Sequence, residues 1–253
     1  MKLLHDTWLL FARGILTTIR NPVWAIIGLF QPLCYLLLFA PLLQAVSGVP
    51  GFPPGGALTV FTPGVLVMMA IFSTAFNGFG LLMEVQSGLI ERLRITPVSR
   101  WALLLGRILR DVLLLLIQSL VLVLVAWFMG ARMNPLGLAL TFGLLVLIGL
   151  CLSSCSYALA LALKDANALS SFLNTLSLPI VLLSGITLPL TLAPPVLRAI
   201  ANFDPFAYEV SAARLLFNGN IANAAVLQGF VIMVVLTLLA LLWGVRSFQR
   251  TTA

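Results

Sequence analysis

Long stretches without any charged residue divide this chain and predict its helices. Charge is absent from residues 21–83, 112–131, 133–163, 166–197 and 215–245. A helix needs about 20 apolar residues to cross the hydrocarbon core of a membrane. The first stretch is long enough for two such helices, and the Pro- and Gly-rich run 49–56 separates them. The pattern therefore predicts six membrane-spanning helices, near 22–46, 58–83, 104–129, 136–163, 168–188 and 223–245.

The composition supports a membrane protein and excludes soluble classes. Of 253 residues, 61% are hydrophobic and only 8% are charged, whereas soluble domains carry about 25% charged residues. The apolar excess must face membrane lipids, so we expect neither a soluble enzyme nor a nucleic-acid partner. Nothing divides the chain into separate soluble parts. It is therefore predicted to be a single all-α integral membrane domain over residues 1–253.

The distribution of Lys and Arg predicts the orientation. With the N-terminus inside, eleven of the 14 cations lie on the cytoplasmic side, and only Arg132, Arg198 and Arg214 lie outside. Such an excess follows the positive-inside rule. We therefore expect a multi-pass protein of the plasma (bacterial inner) membrane with both termini cytoplasmic. Its longest external segment runs over 189–222.

The first 21 residues mix bulky apolar and charged side chains. Asp6, Arg13 and Arg20 can stay in water while an apolar side faces the membrane, and Trp8 suits headgroup depth. The pattern predicts an amphipathic interfacial helix over 1–21, before Asn21-Pro22 turns the chain into the membrane. Its apolar side is formed by Leu3, Leu4, Trp8, Leu9, Phe11, Ala12 and Ile15.

Residues 84–101 form the most charged connection between predicted spans, and we call them the 84–101 loop. Helical spacing predicts one or two polar turns that end at Thr96-Pro97, because a residue before proline disfavours the α conformation. The charges could serve only to set topology. Topology does not need Glu84 and Glu91, however, so docking onto a soluble partner is favoured.

Several motifs in this loop resemble one family. Glu84, Ser87-Gly88, Glu91-Arg92-Leu93 and the run 96–100 resemble the cytoplasmic loop of ABC-2 type transporter permeases, especially the daunorubicin-resistance and nodulation-type export group. Residues 183–186 with Pro189 resemble that family's fifth-span ending. The run 204–208, with Arg214 and Gly219, resembles its external segment, although Asp204 stands where Asn is more usual.

The resemblance implies a function. Such permeases are membrane subunits of ATP-driven exporters, acting as homodimers with two copies of an ABC ATP-binding subunit. The 84–101 loop would contain the coupling helix seated on that subunit, and 189–222 a re-entrant helix pair closing the outer end. The implied coupling residues are Glu84, Gly88, Glu91, Arg92, Leu93, Arg94 and Pro97.

The chain has no phosphate-binding loop of its own. The pattern G-x-x-x-x-G-K-[ST] is absent, and the lysines occur only at positions 2 and 164. We therefore expect a transport subunit that is not an enzyme and binds no cofactor, with ATP and Mg²⁺ on the partner. No metal site is expected either, because three cysteines and His5, which precedes the first span, offer too few ligands.

Polar residues in the spans suggest where cargo could pass. Asn77, Gln118 and Asn174, with Phe76, are candidate pathway residues for amphipathic cargo, although such groups also serve as hydrogen bonds between helices. Hydrophobic drugs, lipids and lipid-linked glycans all remain possible cargo. Outside the membrane, Asp204, Glu209 and Arg214 are candidate outer-gate residues or a solvated rim.

Three alternative functions require features that this sequence lacks. A secondary carrier usually needs charge in the middle of a span, but the charges of the third span, Arg107, Arg110 and Asp111, lie near its cytoplasmic start, where an Arg–Asp pair can satisfy them. A polytopic membrane enzyme, such as an intramembrane serine protease, needs a histidine inside the membrane, and His5 is outside. An ABC importer permease is disfavoured because the 84–101 loop differs from that family's docking motif.

Overall fold

The computed structural model describes residues 2–46, 56–86, 100–186 and 193–251, and in these ranges all regular structure is helical. The helices are α1 (Lys2–Arg20), α2 (Val23–Val46), α3 (Ala57–Ala75), α4 (Gly78–Gln86), α5 (Arg100–Phe128), α6 (Pro135–Leu163), α7 (Ala166–Leu183), α8 (Pro195–Ala201), α9 (Pro205–Phe217) and α10 (Ala224–Thr251). The all-α prediction is confirmed.

The predicted spans match these helices closely. Five are long and apolar enough to cross a membrane, namely α3 together with α4, then α5, α6, α7 and α10. The number of spans rises to six when α1 and α2, which are bent by 70° relative to each other, are counted together as one span. This bend is consistent with an N-terminal helix that lies along the membrane surface before the first span enters it.

The second span is divided where the sequence predicted one helix near 58–83. Helix α3 ends at Ala75 and α4 begins at Gly78. Ser156 of α6 satisfies the freed backbone groups, because its Oγ accepts from the Gly78 N–H at 2.8 Å and donates to the Ala75 carbonyl. A side chain at Gly78 has no room, since a Cβ there would lie 2.5 Å from the Ser156 carbonyl oxygen. Broken spans are tolerated when a neighbouring helix supplies such partners.

Helix α6 lies at the centre of the bundle and contacts α3, α4, α5, α7, α9 and α10. The main core combines side chains from different helices, including Leu66, Met69, Leu122, Ile148 and Met233, all of them almost fully buried. Helices α8 and α9 are the short pair predicted before the last span. Helix α9 is buried against α3, α6 and α10.

Helix α1 packs along α5. Gly106 of α5 lies against Thr7, Leu10 and Phe11 of α1. Trp8 is 62% exposed, as expected of a residue that faces lipid headgroups. The last turn of α4 and the first turns of α5, beside which α1 packs, mark one end of the bundle, and we call it the loop end. The opposite end, with α8 and α9, is the α9 end.

Candidate functional site

Of the predicted coupling residues, the structure describes Glu84. Gly88, Glu91, Arg92, Leu93, Arg94 and Pro97 lie outside the described residues, and their role stays a prediction. Glu84 occupies the last turn of α4, directly before the undescribed part of the loop. Arg107 of α5 donates from Nη2 to its Oε2 at 2.5 Å. This ion pair joins the two helices that enter and leave the 84–101 loop.

Asp111 lies one helical turn deeper on α5 and is a buried acid. Its side chain is 1% exposed. Arg110 donates to Oδ1 from Nε at 3.0 Å and from Nη2 at 2.7 Å, and the Tyr157 hydroxyl of α6 donates to Oδ2 at 2.5 Å. Both carboxylate oxygens are therefore satisfied, as a buried charge requires. The sequence suggested the Arg–Asp pair but did not identify Tyr157, which is 46 residues away.

The predicted pathway residues have different partners. Asn77 donates to Ser153 Oγ of α6 at 3.4 Å. Gln118 is buried and donates to the Ala25 carbonyl of α2 at 2.8 Å, so it forms a hydrogen bond between two spans. Phe76 stacks with Phe79, with ring centroids 6.0 Å apart. The structure thus places Gln118 on the α2–α5 contact, apart from the α3–α4 break that carries Phe76 and Asn77.

Asn174 belongs to an exposed polar surface on α7. It donates to Ser170 Oγ at 3.2 Å and is exposed. Positions three or four apart share a helix face, and the exposed polar residues on or beside this face are Asn167, Ser171, Asn174 and Thr175. We call them the α7 polar surface. Of these four residues, only Asn174 was predicted from the sequence as a pathway residue.

At the α9 end, Arg214 joins three elements. From α9 it donates through Nε to the Val60 carbonyl of α3 at 3.0 Å. Its Nη2 donates to the carbonyls of Gly185 and Ile186, directly after α7, at 2.7 and 3.3 Å. Burial lowers the pKa of Arg214 to about 10, because a charged group loses hydration. Arg214 therefore holds helix ends together through backbone oxygens.

The two acids of the predicted outer gate do not pair with Arg214. Asp204 caps α9 by accepting the Phe206 N–H at 3.0 Å, and burial raises its pKa to about 6. Glu209 is fully buried, and neither carboxylate oxygen has a hydrogen-bond partner in the described ranges. Burial raises the pKa of Glu209 to about 8. The three residues share one short element but have separate environments.

A cavity of about 740 Å³ opens at the α9 end. Its wall combines the first turn of α3, the turn between α5 and α6, which includes Arg132, and the end of α9. None of the predicted pathway residues lines it. The pathway suggested from the sequence is therefore a different surface from this cavity.

Comparison with known proteins identifies the family. The sequence matches the family described as ABC-2 type transporter over residues 5–218. It is 27% identical over 217 residues to the transport permease ycf38 of Cyanophora paradoxa, covering 85% of this chain and 75% of the relative. It is 27% identical over 209 residues to the daunorubicin resistance ABC transporter permease protein DrrB1 of Streptomyces coeruleorubidus, covering 82% and 73% respectively. Since the family match spans most of the chain, this protein belongs to the ABC-2 type transporter family and is a multi-pass membrane subunit of an ABC transporter.

Proposed function

We propose that this chain is the permease of an ATP-driven exporter that moves amphipathic or lipid-like molecules out of the cytoplasm or the inner leaflet. The observation that carries the proposal is the ion pair between Glu84 and Arg107, which joins the two helices flanking the 84–101 loop. A motor bound to this loop would act on α4 and α5 together. The name of the DrrB1 relative, a daunorubicin resistance permease, supports an amphipathic drug as cargo.

The proposed partner is an ABC ATP-binding subunit, present in two copies, which carries ATP and Mg²⁺. In this arrangement the loop end faces the cytoplasm of a bacterial inner membrane, with both termini on that side. The excess of Lys and Arg near this end supports the orientation. Glu84 and the undescribed residues Glu91, Arg92 and Arg94 then form the charged surface that the motor contacts.

A second copy of the chain is proposed to cover the α7 polar surface. Polar groups are costly against hydrocarbon, so a span that exposes them favours contact with protein or with a hydrated path. Helix α7 is also the least buried of the spans counted singly. A homodimer with this face turned inward would line its path with Asn174 and its polar neighbours. Phe76 packs in a cluster with Leu173, next to Asn174, and would lie near the same path.

The test is a reconstitution with a candidate ATPase subunit. The double variant Glu91→Ala with Arg92→Ala should lose co-purification of the ATPase and ATP-dependent uptake of daunorubicin into inverted vesicles. Arg132→Ala, which removes an exposed cation at the opposite end, is the matched control and should keep both. If the loop variant retains ATPase binding and uptake, the coupling role of the loop is wrong.

One observation favours a secondary carrier as the second candidate. Glu209 is a fully buried carboxyl without a partner in the described ranges, and such a group can bind and release a proton. Uptake by the chain alone into liposomes with an imposed pH gradient would support the carrier. Uptake that needs both the ATPase subunit and ATP, with no response to the gradient, would exclude it.

A further inference from the structure

A ladder of charged and hydrogen-bonding side chains lies on one face of α5 at the loop end. Arg107 and Asp111 are four residues apart, so they stack about one turn from each other. Arg107 binds Glu84 of α4, and Asp111 accepts from Tyr157 of α6. The ladder therefore links α4 to α5 at its outer step and α5 to α6 at its inner step.

Helix α1 covers the same ladder. Gly14 lies directly against the side chain of Arg110, and a Cβ at Gly14 would be 2.8 Å from Arg110 Cδ. Only a residue without a side chain permits this contact without displacing the arginine that binds Asp111. Four elements thus meet at the ladder: α5 and α6 bind the buried carboxylate of Asp111 directly, α4 reaches Arg107 through Glu84, and α1 packs against Arg110.

The inner step is the more demanding one energetically. Asp111 is almost completely buried, and a buried carboxylate oxygen that loses its donor is left unsatisfied, even though Arg110 still balances the charge. If α6 moved away from α5, the Tyr157 hydroxyl would leave Oδ2, which accepts no other described donor. Separation of α5 from α6 is therefore strongly opposed, whereas Glu84 and Arg107 at the outer step are partly exposed and tolerate adjustment.

We infer that Asp111 and Tyr157 are positioning residues that make α6 follow α4 and α5 when the ATPase moves the 84–101 loop. The inference rests on the proposed function, because it assigns the motor's movement to that loop. Helix α6 contacts α3, α7, α9 and α10, so its displacement reaches both the α7 polar surface and the α9 end. Movement at the loop is thereby converted into a rearrangement of the whole bundle.

The variant that tests this role is Tyr157→Phe. It removes one hydroxyl and keeps the ring, which packs with Leu81, Leu104 and Ile108 in a buried cluster. The matched control is Tyr208→Phe, which removes a hydroxyl that donates to the Asn202 carbonyl at 3.1 Å near the α9 end. Both variants make the same chemical change, and only one touches the ladder.

The measurement is the distance between spin labels at the ends of α4 and α6. Labels at Met83 and Leu163, both exposed, are placed in a chain whose cysteines Cys34, Cys151 and Cys155 are replaced by alanine. The complex with its ATPase is compared without nucleotide and after trapping with ATP and vanadate. We expect one constant distance in the parent chain and in Tyr208→Phe. In Tyr157→Phe the distance should change by several ångströms on trapping, while ATPase binding persists.

A constant distance in Tyr157→Phe would overturn the inference, since a purely structural hydroxyl would give that result. If Tyr157→Phe does not fold, Glu84→Ala, which removes the acceptor for Arg107 at a partly exposed position, tests the outer step with the same expected change. A constant distance in Glu84→Ala would likewise count against the ladder. Failure of the parent chain to bind an ATPase would instead contradict the proposed function, and the inference with it.

Discussion

Glu209 gives the sharpest prediction, because its environment favours the neutral carboxyl. The side chain is fully buried, and neither oxygen has a partner in the described ranges. Burial raises its pKa from 4.5 to about 8. Since a tenfold change in an ionisation equilibrium is worth about 1.4 kcal/mol, the folded state disfavours the charged form by about 5 kcal/mol.

The direction of the pH effect follows from proton linkage. Well below pH 4.5 the carboxyl is neutral in the folded and unfolded chains alike, so the folded state carries no penalty. Between 4.5 and about 8 the unfolded chain releases the proton while the folded chain keeps it, so stability falls as pH rises. Above about pH 8 the carboxyl is ionised in the folded and the unfolded chain, and the loss of stability is complete.

Thermal unfolding of the purified protein in detergent, followed by tryptophan fluorescence, measures this effect. For a chain of this size each kcal/mol shifts the melting temperature by roughly 2–4 °C. When the pH is raised from 5 to 8.5, the melting temperature of the parent chain should therefore fall by on the order of 10 °C more than that of Glu209→Gln, which is neutral throughout. Asp204 titrates in the same direction but is present in both proteins, so it cancels. A difference between the two proteins that stays constant with pH would refute the reasoning.

Two further predictions concern close packing and hydrogen bonding. Gly78→Ala should destabilise the fold by about 1–3 kcal/mol, because a Cβ would meet the Ser156 carbonyl at 2.5 Å. Gly80→Ala on the same helix should be neutral or slightly stabilising, since nothing lies within 4 Å; equal melting temperatures for the two variants would contradict this account. Arg214→Lys keeps the charge, but one ammonium cannot span carbonyls of separate elements, so a loss of about 1.5–3 kcal/mol is expected. Arg132→Lys, an exposed control, should melt like the parent chain, and an equal loss there would contradict the role given to Arg214.

The spans could be predicted because each depends on its own composition. A charge-free run of sufficient length can satisfy its backbone in a membrane only as a helix, whatever its neighbours are. This explains why α6, predicted near 136–163, is observed at Pro135–Leu163. The break between α3 and α4 was not predictable in the same way. It depends on Ser156, a residue about 80 positions later that replaces the missing backbone partners.

For the candidate site residues too, local features could be predicted from the sequence, whereas contacts between distant residues could not. The charges at Glu84, Arg107 and Asp111 stand out in the sequence because charge is rare in this chain. Their partners do not, since a tyrosine in an apolar helix looks like ordinary packing until Tyr157 is found beside Asp111. Likewise, the sequence marks Gln118 as a polar residue within a span, but its partner, the Ala25 carbonyl of α2, is visible only in the packed bundle.

The sequence by itself determined the membrane class, the approximate positions of the long apolar helices, the N-terminal helix before them and the family resemblance. Each of these follows from local hydrophobicity, charge and short motifs, which act without reference to distant residues. The tertiary structure alone decided which polar groups meet: the ladder through Asp111, the Arg214 contacts with α3 and the end of α7, and the buried isolation of Glu209. Burial makes an unsatisfied polar or charged group costly in free energy, and burial is a property of the packed bundle that no single segment encodes.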